Sequence, residues 1–150
     1  IKSLHSANLE YICAKTKSLN MNKPHIKVVC AIIKDGEKVL CTQRLRKGLD
    51  YISEHWEFPG GKVEADESKQ EALQREILEE MDWKIQVGPQ LAEMEYEYPD
   101  FFIHLTAYSC TAHDKNFKLL AHIDACWLKP DDFPQLNWAA ADAELIKLIW

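Results

Sequence analysis

The spacing of apolar and polar positions changes several times along the chain, and each change marks an element. Ile26 to Lys34 is β-branched and apolar, the pattern of a buried strand. Asp35-Gly36 is a hairpin signal, and Lys38 to Arg44 reads as the returning strand. Leu45 to Glu54 is polar, contains Gly48 and reads as a loop. His55 to Phe58 predicts a short strand running into Pro59-Gly60-Gly61, where a loop without regular structure is expected. Ser68 to Met81 holds neither Gly nor Pro. Asp66-Glu67-Ser68 supplies helix-start chemistry, and Ala72, Leu73, Ile77 and Met81 form one buried stripe. Further strands are expected near residues 83–87, 91–98, 101–111 and 125–129, with a turn at Pro99-Asp100. Pro130-Asp131-Asp132-Phe133 resembles the first turn of a short helix, and residues 138–150 predict a closing helix. This order of elements predicts an α/β (α+β) fold in which a mixed sheet carries helices on its faces. Residues 1–25 lack a sustained period and read as an N-terminal extension, a loosely held tail with a short helix near residues 9–14. Residues 26–150 read as a single domain.

Composition narrows the class. The chain has 150 residues, 47% of them hydrophobic, enough for one domain with a core that needs no staples. Its five cysteines form no C-x-x-C pair and stand with no histidine at zinc spacing, so a reducing cytoplasmic setting is expected. The apolar run Val28 to Ile33 is too short to span a bilayer, and Lys, His, Glu and Asn interrupt residues 1–20, unlike a secretory signal. A net charge of −6 argues against binding a nucleic-acid polymer. A small anionic substrate remains compatible if a metal or a local basic group offsets the repulsion.

The chemistry concentrates between Gly60 and Trp83. Glu76, Glu79 and Glu80 stand at i, i+3 and i+4, so one helix turn presents three carboxylates. Such crowding calls for a cation. Arg75 offers one, and an all-oxygen donor set suits Mg2+ or Mn2+. The preceding Glu57-Phe58-Pro59-Gly60-Gly61 places glycines where a backbone can approach a metal or a phosphate.

Gly61, five residues, Glu67, seven residues, then Arg75-Glu76-Ile77-Leu78-Glu79-Glu80 resembles the Nudix hydrolase signature G-x5-E-x7-R-E-U-x-E-E-x-G-U, where U is a bulky aliphatic residue. The likeness extends from about Ile26 to Trp150 and is nearest to the MutT-like and CTP-pyrophosphohydrolase-like members. Two positions depart from it: Asp82 stands where Gly is usual, and Trp83 where an aliphatic residue is usual. Asp82 must then adopt a helix-ending left-handed backbone that Gly reaches cheaply, at a small expected cost in stability.

The resemblance implies a Nudix-type α/β/α sandwich that hydrolyses a nucleotide phosphoanhydride with Mg2+ (or Mn2+), a nucleoside triphosphate giving a monophosphate and pyrophosphate. It implies metal binding by Glu76, Glu79, Glu80 and the Gly60 carbonyl, and catalytic roles for Glu79, Glu76 and Arg75. Arg75 would orient a glutamate, with Gly61 and Glu67 shaping the loop–helix junction. Arg44 and Lys62 would contact phosphate, and Asp142 would reach the base edge. An ionised Asp142 would accept hydrogen bonds from an exocyclic amine or a ring N–H, which suits cytosine and oxidised guanine alike. Tyr96, Phe102 and Trp138 are candidate stacking surfaces. An extra glutamate found in some members would fall at Ala121, so the proton acceptor stays open among His122, Asp124 and Glu79. His55, His104 and His113 read as surface or packing residues. A nucleotide sensor of the same fold would be expected to have lost part of this box. An ADP-ribose hydrolase is the other alternative, suggested by Pro99 but weakened by its place in an ordinary turn. The partner expected is a nucleotide, not a nucleic acid or a membrane.

Overall fold

The computed structural model describes residues 22–150. The short helix expected near residues 9–14 lies outside the described residues. Strands β1 (His25–Asp35) and β2 (Lys38–Arg44) form the predicted hairpin, turning at Gly36 with φ 58°. β1 is the central strand. Along one edge it runs parallel to β6 (Phe102–Ala112), in register from His25–Phe102 to Ile33–Cys110. Its other edge is shared. Val28 to Cys30 pair antiparallel with β4 (Gly60–Lys62), and Lys34 and Asp35 pair with β2.

β2 diverges from β1 and pairs antiparallel with β3 (Trp56–Glu57) and β7 (His122–Leu128). β5 (Ile85–Glu97) closes the far edge against β6. The result is a mixed seven-stranded sheet with main order β3-β2-β1-β6-β5.

Both faces are covered, which is why β1 is apolar at successive positions rather than at alternate ones. On one face Val29, Ala31 and Ile33 meet Ala72, Leu73, Ile77 and Met81 of helix α1 (Lys69–Met81). On the other, Cys30, Ile32, Leu105 and Ala107 meet Phe58, Phe133 of the 3-10 turn Pro130–Gln135, and Ala141 and Leu145 of helix α2 (Ala140–Ile149). This is the expected α/β/α sandwich.

Helix α1 starts as its sequence predicts. The Ser68 hydroxyl accepts from the Glu71 N–H, and the Glu71 carboxylate accepts from the Ser68 N–H, which closes a capping box. It ends at Asp82, left-handed at φ 47° and ψ 42°, whose N–H donates to Leu78 O at 3.0 Å. The Asp82 carboxylate pairs with Lys118. Trp83 is buried, and its indole N–H donates to Asp114.

Two expectations are corrected. Gly60-Gly61 is not irregular: it forms β4, because without a Cβ it can lie against β1. A Cβ on Gly60 would stand 1.9 Å from Val29 O. The two strands expected near residues 83–98 are one strand, β5, whose register shifts between Val87 and Ala92 absorb the Gly88-Pro89 interruption. No helix among the described residues is long and apolar enough to cross a membrane.

Candidate active site

Several separated segments wall one cavity of about 620 Å³. β2 supplies Arg44, β3 supplies Glu57, and β4 supplies Gly60, Gly61 and Lys62. Helix α1 contributes Glu76 and Glu80, and α2 contributes Asp142. The apolar part of the wall is Ile26, Val28, Ile103 and Leu105 on the sheet, with Tyr98 and Phe101 at the turn between β5 and β6.

Polar contacts tie the carboxylates together. Arg44 Nη1 donates to Glu57 Oε2 at 2.8 Å. Buried His122 places Nε2 at 3.5 Å from Glu57 Oε1 and 3.8 Å from Glu80 Oε2. Burial pushes the Glu80 carboxyl up to about 7, with nearby His122 opposing the rise and Glu76 and Glu57 adding to it. The Glu76 carboxyl is also raised by burial, against the pull of Arg75.

Arg75 anchors a second network at the rim. It donates to both oxygens of Glu67 at 2.7 and 3.0 Å, to Glu76 at 2.9 Å, to Glu79 at 3.3 Å and to Lys62 O at 3.0 Å. Glu67 also accepts from the Glu64 N–H, so it locks the loop to the helix. Gly61 leaves room for this arrangement, since a Cβ there would stand 2.2 Å from the Glu76 carboxyl carbon.

Asp142 closes the cavity from the α2 side. Its Oδ1 accepts from the Phe58 N–H at 2.9 Å, and the preceding Ala141 N–H donates to the Tyr98 hydroxyl at 3.0 Å. Burial, then the charge of Glu57, raises the Asp142 carboxyl well above the usual carboxylate range.

The structure thus gathers Arg44, Gly60, Gly61, Lys62, Glu76, Glu80 and Asp142 around one space. Glu79, Arg75 and Glu67 lie beside it, joined through Arg75.

The NUDIX domain profile matches residues 23–149. The chain belongs to the Nudix family. It is 36% identical over 126 residues to the CTP pyrophosphohydrolase of Escherichia coli strain K12, covering 81% of this chain and 89% of that protein. It is 38% identical over 91 residues to the 8-oxo-dGTP diphosphatase of Haemophilus influenzae, covering 57% of this chain and 65% of that one. The solution structure of the E. coli ORF135 protein superposes with a TM-score of 0.71 at 34% identity, covering 85% of this chain and 90% of that one.

Nudix hydrolases use divalent cations, and the donor set here fits one. Glu57, Glu76 and Glu80 offer oxygen alone, as hard ions require. The Glu80 carboxylate accepts no hydrogen bond among the described residues, and burial raises the Glu76 and Glu80 carboxyls with neighbouring carboxylates adding to it, a cost that a cation would relieve.

Sequence reasoning missed Glu57, whose signal was a charged residue between Trp56 and Phe58 just ahead of the glycines. It also misassigned the aromatic wall of this Nudix cavity. Phe102 projects from the opposite sheet face and stacks on His25 at 4.6 Å. Tyr96 packs on Tyr98, and Trp138 on Phe58 at 4.9 Å. Because Ile103 points into the cavity, strand alternation turns Phe102 away, and Tyr98 and Phe101 take the place expected of it.

Proposed function

We propose that the chain is a Mg2+-dependent pyrophosphohydrolase that converts a nucleoside triphosphate to a monophosphate and pyrophosphate. What carries this reading is the polarity of the cavity. Carboxylates and glycines share its wall with apolar and aromatic side chains. A triphosphate has the same two parts, a phosphate chain and a base. Glu57, Glu76 and Glu80, with the Gly60 carbonyl, would hold the ion, and Mn2+ suits the same donors. When bound, it supplies Lewis-acid charge that offsets the phosphates and the charge developing on the leaving oxygen.

The chain's own residues do the rest. Arg44 and Lys62 bind phosphate oxygens. Arg75 orients Glu76 and Glu79 through its fork of donors. Water attacks phosphorus, the phosphoanhydride P–O bond breaks, and the water's proton passes to a carboxylate. We assign that acceptance to Glu79, exposed at the rim. Buried His122, wedged between Glu57 and Glu80, positions those carboxylates, and Asp124 is exposed and caps its own strand through the Ala125 N–H.

Cytidine nucleotides are the first substrates to try, given the relative named CTP pyrophosphohydrolase. The raised Asp142 carboxyl supports a second reading. A protonated Asp donates as well as accepts, which matches the mixed edge of an oxidised guanine. Pro99 gives no support to ADP-ribose, since it sits in a hairpin turn closed by Tyr98 N–H to Phe101 O. A screen of CTP, dCTP, 8-oxo-dGTP, dGTP and ADP-ribose with Mg2+, read by chromatography of products, tests the proposal. A triphosphate yielding monophosphate and pyrophosphate is expected. Turnover of ADP-ribose alone would overturn the substrate class, and binding without turnover would make the protein a sensor rather than an enzyme.

A further inference from the structure

On the sheet face opposite the cavity, three side chains meet that the proposed reaction does not use. Ile26, Val28, Ile103 and Leu105 line the cavity, so the alternate residues His25, Lys27, Phe102 and His104 project the other way. Glu95 of β5 stands directly opposite His104 in the β5–β6 register and shares its face. His25 Nδ1 and His104 Nε2 are 2.8 Å apart, and Glu95 Oε2 lies 3.2 Å from His104 Nδ1. The His25 ring is itself held by stacking on Phe102 at 4.6 Å with an interplanar angle of 11°. Although read from the sequence as a surface or packing residue, His104 is therefore the middle member of a polar chain.

The geometry sets the protonation pattern. The Glu95 carboxylate beside Nδ1 of His104 favours the tautomer protonated there, which leaves the Nε2 lone pair of that ring for His25. A carboxylate behind an imidazole whose other nitrogen faces a second imidazole is the outer arrangement that orients histidine metal ligands. Its neighbours do not compete for Glu95: Glu93 is paired with Lys69, and Glu97 with Lys23. Lys27, the register partner of His104 on β1, joins Lys23 and Lys69 as cations on this face that would oppose a bound ion.

We propose that His25 Nδ1 and His104 Nε2 bind a divalent transition-metal ion, with Glu95 orienting His104. Imidazole nitrogens select such ions over Mg2+ or Ca2+, so the site differs in chemistry from the carboxylate cavity. The two nitrogens now face each other as a hydrogen-bonded pair, with ring centroids 5.1 Å apart. An ion would take the place of the shared proton, which moves to the far nitrogen of His25, and the rings would turn until both nitrogens face the ion. Water completes the shell. The ion would fasten the start of β1 to β6, 79 residues away in sequence.

The test is calorimetric titration of the tag-free full chain with NiCl2, in excess Mg2+ so that the carboxylates are occupied. One Ni2+ per chain is expected, with a rise in melting temperature. His25→Ala and His104→Ala should each weaken binding at least tenfold, by roughly the factor an oriented ligand contributes, and abolish the temperature rise. Glu95→Gln should weaken it less. Nucleotide hydrolysis should be unchanged in all three variants. Absence of Ni2+ binding by the wild-type chain would leave only a hydrogen-bonded histidine pair and overturn the proposal. So would binding retained in both histidine variants, which would put the ion elsewhere.

Discussion

Gly60 and Gly61 adjoin in sequence, yet substituting them should fail in different ways. A methyl group on Gly60 meets the backbone of β1, which cannot move without breaking the sheet. Gly60→Ala should therefore destabilise by about 1–3 kcal/mol or more in urea unfolding. A methyl on Gly61 meets the Glu76 side chain, which can swing aside. Gly61→Ala should keep most of its stability and lose turnover. Asp142 makes a prediction about pH. Its carboxyl is raised in the fold by burial and by Glu57, against about 3.9 in an unfolded chain. Because the neutral form is the one the fold favours, its contribution is fully present below about pH 4 and is lost as pH rises through the folded value. Asp142→Asn keeps an acceptor for the Phe58 N–H and cannot ionise, so denaturant midpoints at pH 5 and pH 8.5 should differ less than in the wild type. The residues for which each glycine leaves room, and the Asp142 shift, were not legible in the sequence, since both are set by atoms from distant segments.

Helix α1 is the element most fully written in its own residues. Its cap and its buried stripe depend on neighbours within a few positions, so local chemistry predicted both, whereas the left-handed end at Asp82 was expected from the Nudix resemblance. Ser68→Ala should cost about 0.5–2 kcal/mol through loss of the capping box. Asp82→Ala should cost about 1–2 kcal/mol, because alanine lacks the local tolerance of the left-handed region. Asp82→Gly should be nearly neutral, trading an exposed pair with Lys118 for an unstrained backbone. Chemical denaturation checks all three. β4 is the opposite case. Two glycines read as a loop until β1 lies beside them, and the information that makes them a strand sits in Val28 to Cys30. The aromatic wall failed for a related reason: one residue of register decides whether Phe101 or Phe102 faces the cavity.

At the scale of the whole molecule, the box made the family legible, whereas the cavity's composition was only partly so, because segments from the whole domain build it. The proposed chemistry predicts that a chelator abolishes hydrolysis and that Mg2+ restores it, followed by pyrophosphate release. Glu79→Gln should lower kcat by about 10²–10⁴ without altering the unfolding midpoint by much; unchanged kcat would remove Glu79 from the proton step. The parallel pairing of β1 with β6 carries one more consequence. During synthesis β1 leaves the ribosome early, yet its longest partner is complete only when Ala112 has been made, and Asp142 follows later still. The hairpin and α1 can form first, but the central strand has one edge unpaired until then. A nascent chain from which β1 has emerged and β6 has not would therefore display an apolar strand edge, and chains at that stage are where chaperone capture should peak.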